Sequence, residues 1–326
     1  MKYKLPILTA GLTLSLLACY GLVGPLDLQL LSLRSSAESA SDQGLVATRA
    51  GTGEQRTEQG GPPHGQWLVG RAVQSIVAQE SLQAEIRQQV DLYGHHLVGA
   101  GRYRQFFFRG QQRLRLELKL QVADQVSSLT QVADGRHLWI RQDMPDGTTL
   151  SRIDLRRVAE EVWQQSPGPS AQASQWMALG GLPKLLQGLE ANFKFSPPQA
   201  AQWQEKAVWV TEGTWKPSLL KHHWGDERSL PEYVPGRVQL VLGRDSAIPL
   251  FPYRIRFWRS AELEAEENAN VKPMVTLEFH NVTRPTFFTL AMFDYKRGDQ
   301  IVTDRTDTFL KSLQSPPWSF AEQLSP

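Results

Sequence analysis

Apolar and polar residues alternate without a fault from Arg113 to Val122. Leu114, Leu116, Leu118, Leu120 and Val122 fall on one side, and Arg113, Arg115, Glu117, Lys119 and Gln121 on the other. A period of two predicts a strand with one apolar and one wet face, as in an antiparallel sheet. The segment 101–108 precedes it across Arg109-Gly110, so the two are expected to form a long hairpin. Turn signals then recur at hairpin spacing. Asp134-Gly135 separates 128–133 from 137–142, and Asp146-Gly147 precedes 148–153. Asp-Gly between apolar runs suits a type I′ turn, whose two central residues need φ above zero. Alternation resumes at 237–242, 253–258 and 275–282, and 286–295 is a further candidate after Pro285. Roughly nine or ten strands favour one large curled sheet or partial barrel.

Other segments follow a helical period. From 71 to 93 the positions Val73, Ile76, Val77, Ile86, Val90 and Tyr93 keep that spacing approximately, and Gly94 is a suitable stop. In the middle of the chain, 155–165 reads as a helix closed by the Ser-Pro-Gly-Pro segment that begins at Ser166. A second helical segment, 171–179, carries Trp176 and Met177 before Gly180-Gly181. A third starts at Pro183, a suitable first helical residue, and places Leu182, Leu185, Leu186 and Leu189 on one stripe. A short final helix is expected at 307–313. The order predicts an α+β fold: a strongly curved antiparallel sheet, an incomplete β-barrel, with a helical lid on its concave face.

Composition narrows the class. With 41% hydrophobic and 21% charged residues among 326, the chain is neither broadly disordered nor a polytopic membrane protein. A formal charge of +2 gives no global electrostatic footprint for nucleic acid. One cysteine, Cys19, leaves no intramolecular disulfide and no multi-cysteine metal site.

That cysteine lies in a membrane-targeting start. Lys2 and Lys4 precede an apolar stretch from Leu5 to about Gly24, closed by Pro25. Leu16-Leu17-Ala18-Cys19 resembles the lipobox of bacterial lipoproteins, in which the cysteine is lipidated, although Leu17 is large for its position and Leu22-Val23 keeps the following segment apolar. Three readings stay open: a lipoprotein signal, an uncleaved anchor, since about 20 apolar residues span a bilayer, and a cleaved signal peptide with Cys19 a passive apolar residue. Each exports the remainder, and a cysteine-free body suits an oxidising compartment. The expected division is an address at 1–33, a polar flexible tether at 34–66, a folded domain at 67–314 and a tail at 315–326.

Catalytic signatures are few. Gly99-Ala-Gly101 lacks its third glycine at Arg104, and no phosphate-binding loop, zinc helix motif or nucleophile elbow occurs. His95-His96 and His222-His223 are adjacent pairs that cannot chelate together in extended structure; exposed loop histidines are the default, and no metal or cofactor is expected. A hydrolase would need His222, His223, Asp226 and Asp304 to converge. Asp307 suits the first turn of the last helix. Asn281-Val-Thr283 matches a glycan acceptor inside an expected strand. Ten tryptophans, among them Trp139, Trp163, Trp176, Trp203, Trp209, Trp215, Trp224 and Trp258, are expected mainly to fill the core.

The stretch Ser128-Leu-Thr-Gln-Val-Ala-Asp-Gly-Arg-His-Leu-Trp-Ile140 resembles the second hairpin of the LolA-type periplasmic lipoprotein carriers. An amphipathic first helix, a long first hairpin, mid-chain helices and late strands agree over roughly 70–312. The resemblance implies a lid over an apolar cavity that accepts acyl chains, and an arginine latch at Arg113 or Arg115. Lining residues would be Leu116, Leu118, Leu120, Trp139, Trp176, Leu182, Leu185, Leu186, Leu189, Tyr253, Phe257 and Phe279. The chain departs from the carriers in its membrane-targeting start, its tether and an extended stretch at 196–235. The function expected is a non-enzymatic exported module binding lipid or lipoprotein acyl chains. An envelope sensor or structural domain that binds a protein is the alternative. A continuous apolar cavity would favour the carrier, and a filled interior the sensor.

Overall fold

The computed structural model describes residues 45–46, 64–92, 95–122, 125–164, 173–224, 230, 234–244, 248–259 and 272–314. The address at 1–33 with Cys19 and the tail at 315–326 lie outside them.

The strands are β1 (Leu45–Val46), β2 (Ser81–Leu92), β3 (His95–Phe108), β4 (Gln111–Val122), β5 (Gln125–Ala133), β6 (His137–Met144), β7 (Gly147–Asp154), β8 (Phe193–Phe195), β9 (Gln199–Trp203), β10 (Lys206–Trp215), β11 (Pro235–Gly243), β12 (Pro252–Arg259), β13 (Val275–Thr283) and β14 (Thr303–Asp304). The helices are α1 (Gly65–Val77), α2 (Leu155–Gln164), α3 (Ala173–Asn192), α4 (Pro217–Trp224) and α5 (Thr306–Gln314). All strands join one open sheet in the order β1-β9-β10-β11-β12-β13-β2-β3-β4-β5-β6-β7-β14, with β8 also paired to β10. Every pairing is antiparallel except β14 on β7. Its inner face carries the main core, and α1 and α3 cover that face. The expected α+β, incompletely closed architecture is therefore the one observed.

The long hairpin is as read. Arg109 and Gly110 both adopt positive φ, at 51° and 75°, in a two-residue turn between Phe108 and Gln111. At the Asp-Gly pairs, however, only the glycines have positive φ, so these turns are not type I′. At the first, the Asp134 carboxylate instead organises the loop, accepting from the Arg136 and His137 N–H groups at 2.8 and 2.7 Å and from Trp139 Nε1 at 2.9 Å. Gly101 faces inward where β3 lies close to β4: a Cβ there would strike the Glu117 carbonyl. Gly99 likewise leaves room for the Leu120 side chain. The Gly-x-Gly of the sequence thus serves close packing of the hairpin.

Two further expectations need correction. The helix read at 71–93 is α1 followed by β2, with the break at Ala78-Gln79-Glu80. In β2 the inward series Leu82, Ala84, Ile86, Gln88 and Val90 has period two, and its polar member Gln88 obscured the alternation. The strand expected at 286–295 is instead an irregular strap with a 3₁₀ turn at Leu290–Phe293. Phe288 and Phe293 pack with Phe106 on the outer face of the sheet, while Phe287 points to solvent. The extended stretch at 196–235 contains β9, β10 and α4.

The outer face is held by polar contacts. Burial alone would raise the Asp143 carboxyl, but Thr148, Arg141 and Ser128, donating at 2.8, 2.9 and 3.0 Å, outweigh it and hold it below the ordinary value. Glu117 is held low in the same way: burial opposes, and Arg115 and Arg104 prevail. Carboxyls depressed in the fold contribute stability above their unfolded pKa and lose it as pH falls through the lower folded value. The unfolding temperature followed by circular dichroism should therefore stay level down to about pH 5 and fall below about pH 4. In Asp143→Asn that fall should be shallower.

Candidate functional site

The register builds the inner face row by row. Ala84, Tyr103, Leu116, Gln131 and Ile140 stand side by side across β2 to β6. The next row holds Leu82, Gln105, Leu114, Ala133 and Leu138. On the other side lie Ile86, Gly101, Leu118 and Leu129, then Gln88, Gly99, Leu120 and Ser127. Every residue in these four rows is uncharged. Beyond β2 the face continues with Phe279, Ile255, Phe257 and Tyr253 on β13 and β12.

Over this face lies α3, whose two halves meet at non-helical Gly180 and Gly181. Gly181 has φ 60° and ψ −152°, a conformation open essentially to glycine, and a Cβ there would collide with the Tyr103 hydroxyl. Pro183 sits at the start of the second half, as a first-turn proline should. Leu182, Leu185, Leu186 and Leu189 of that half are all buried, in one cluster with Leu116, Leu118, Leu120, Tyr253, Phe257 and Phe279. Nine of the expected lining residues besides Leu182 are thus brought together with it. Trp139 is not among them. It faces outward, stacked on Tyr295 at 5.5 Å in a separate cluster with Val132, Leu150 and Val302. Trp176 belongs to the first half of α3, and its side chain lies outside the described residues.

Tyr103 pins the break. Its hydroxyl donates to Gln105 Oε1 at 2.6 Å and accepts the Leu182 N–H at 3.0 Å. Beside it, Gln112 Nε2 donates to the Gly180 carbonyl at 2.8 Å. Burial pushes the Tyr103 phenol well above its ordinary value, against the smaller opposing effect of the Leu182 N–H, so it stays a neutral donor across the physiological range. The far end of α3 is tied independently: Gln66 Nε2 donates to the Glu190 carbonyl at 2.6 Å, and Lys216 Nζ to that of Ala191 at 2.6 Å. A cation on the terminal carbonyls is favourable for a helix C-terminus.

The arginine latch expected at Arg113 or Arg115 is absent from this contact. Both side chains lie in the outward phase of β4. Arg115 donates to the Met292 carbonyl at 3.2 Å and Arg113 faces Asp294 at 3.7 Å, so they hold the strap instead of the lid. Tyr103, Gln105 and Gln112 were missed in the sequence. Their signal is phase: Gln105 and Gln112 are polar residues at positions that the leucine alternation assigns to the interior.

Among the described residues, the remaining candidate chemistry does not assemble. Asp304 accepts the Thr306 hydroxyl at 2.7 Å and N–H at 3.0 Å and pairs with Arg152, contacts that hold it low and start α5. Asp307 lies in the first turn of α5, 2.7 Å from Arg157. His96 is exposed beside Asp91 at 2.9 Å. Among the described residues, no three His, Cys, Asp or Glu side chains are placed to hold a metal. The side chains of His222, His223 and Asp226 lie outside them. Asn281 sits at the irregular end of β13, bonded to Glu85 at 3.0 Å.

Tyr103→Phe removes the bridging hydroxyl and leaves a buried N–H and a buried amide oxygen unpaired, at a cost of about 1–3 kcal/mol. Amide exchange at Leu182 should accelerate in this variant, as read by mass spectrometry. Arg115→Gln should leave that exchange unchanged.

No family model and no curated relative matches the chain. Among solved structures, it is similar to the Pseudomonas aeruginosa MucA/MucB complex, at 11% identity and TM-score 0.39, over 73% of this chain and 63% of that one. It is similar to the lipoprotein LppX of Mycobacterium tuberculosis at 13% identity and TM-score 0.35, over 68% of this chain and 96% of that one. A domain from Vibrio parahaemolyticus named for outer-membrane lipoprotein sorting matches at 10% identity and TM-score 0.31, covering 71% of this chain and 96% of its own.

Proposed function

We propose that this chain is an exported, non-enzymatic module that binds lipid or lipoprotein acyl chains in the cell envelope. The observation that supports it best is the pairing of an uncharged, leucine-lined sheet face with an apolar helix joined through a Gly-Gly break and held there by few neutral hydrogen bonds. The leucines of α3 fill the surface that an alkyl chain would occupy, so the closed form has the filled interior expected of the sensor, and acyl binding requires α3 to be displaced. Displacing them exchanges one apolar contact for another, at about 0.8 kcal/mol gained per buried CH₂ of the ligand. Opening at Gly180-Gly181 breaks the Tyr103 and Gln112 contacts, while Gln66 and Lys216 keep the far end of α3 in place.

Residues 1–33 deliver the domain to a membrane as lipidated Cys19, as an anchor or as a signal that is cut away, and 34–66 tether it there. Leu45–Val46 of that tether, β1, pairs with β9 at the end of the sheet opposite β7.

A second reading, a protein-binding envelope sensor, draws on the outer strap, where Phe287 and Ile301 are 83% and 91% exposed. Native mass spectrometry separates the two. The full chain, purified gently, should carry a lipid mass that organic extraction removes, and Tyr103→Phe should take up added fatty acid faster. A clean apo mass that does not change with added fatty acid would leave the sensor reading.

A further inference from the structure

The inner face is apolar except where a few neutral polar side chains stand in phase with the leucines. Gln131 is 1% exposed, and neither atom of its carboxamide has a hydrogen-bond partner. Gln105 is fully buried; its Oε1 accepts from Tyr103, but its Nε2 is unpartnered. Gln105 stands on β3 and Gln131 on β5, in adjacent rows with β4 between them, and of the two only Gln131 has a fully unpaired carboxamide. Burying an amide without a partner is unfavourable, and at a site walled by Leu116, Leu129 and Ile140 a leucine would avoid the penalty altogether.

We propose that Gln131 reads a hydroxyl group on the buried chain of a lipid ligand. This rests on the acyl-binding function proposed above and narrows its ligand class. The chemistry favours a hydroxyl for two reasons. No cation lies in the surrounding rows, so a carboxylate or phosphate would be stranded there. Gln131 presents both an unpaired acceptor, Oε1, and an unpaired donor, Nε2; a hydroxyl both donates and accepts, whereas an ester or ketone accepts only and would leave Oε1 bare. The charged head of the lipid then remains at the rim. Ser127, whose hydroxyl is also buried and unpartnered, lies four residues along β5, about 13 Å away, and stands apart from Gln131.

The test uses the full chain stripped of lipid, with octadecanoic acid and its mid-chain hydroxy analogue competing against a fluorescent fatty acid. The wild type should bind the hydroxy acid about tenfold more tightly, the effect of one buried hydrogen bond. Gln131→Leu should bind both acids alike, and Gln131→Met gives a second apolar variant should leucine disturb folding. Equal binding of the two acids by the wild type overturns the inference and leaves acyl binding intact; the carboxamides are then satisfied by water. Retained discrimination in both variants also overturns it. If neither acid displaces the probe, the acyl-binding function itself fails, and the inference with it.

Discussion

The structure depends on an imbalance in its sheet. Strands β2 to β6 present an uncharged inner face five strands wide, and the sheet does not curl far enough to bury that face against itself. Something apolar must lie on it. The chain supplies α1, directly before β2, and α3, inserted between β7 and β8. Because α3 is a cover and not part of the hydrogen-bonded sheet, its hold on the rest, among the described residues, is side-chain packing and a handful of bonds at its break and its end. That makes it the element which can leave while the strands remain paired.

The outer face is solved differently. Its arginines and carboxylates pair with each other along β3 to β7, and the chain returns after β13 as a strap that seats Phe288, Phe293 and Tyr295 on Phe106 and Trp139. Arg115 and Arg152 fix that strap through the Met292 carbonyl and Asp304. Inner and outer faces therefore divide the chemistry of the strands: neutral contacts inside, charged ones outside. The motif Asp134-Gly135…Leu138-Trp139 belongs to the outside, where the Asp134 carboxylate holds the loop and the Trp139 indole together.

Much of this was legible. Error-free alternation in β4 and the turn signals placed the strands from β3 to β7, and the Leu182/Leu185/Leu186/Leu189 stripe placed the lid. What was hidden has identifiable causes. The β9–β10 hairpin turns at Gln204 and Glu205, both with positive φ, at 45° and 64°, so a turn of the I′ hand occurs without glycine and gives no signal. Strand β2 was taken for helix because Gln88 breaks its apolar phase. Trp139 points outward because the inward phase of β6 belongs to Leu138 and Ile140. The Tyr103 latch could not be read because its partner, Leu182, is 79 residues away and contributes only a backbone N–H.

The nature of the latch bears on how the lid could work. An arginine pinning the lid from inside would leave a buried, uncompensated charge on opening, which costs several kcal/mol. Tyr103, Gln105 and Gln112 are neutral, and a typical hydrogen bond between neutral groups nets about 1 kcal/mol, since water or a ligand replaces the lost partner. Replacing lid leucines by acyl methylenes changes the apolar contribution little, because both bury similar surface at similar gain per unit area. In the opening proposed above, the balance between closed and open forms rests on these polar contacts and on the unpaired carboxamide of Gln131. An apolar face alone would hold any alkyl chain; polar groups placed within it are what could let this fold prefer one.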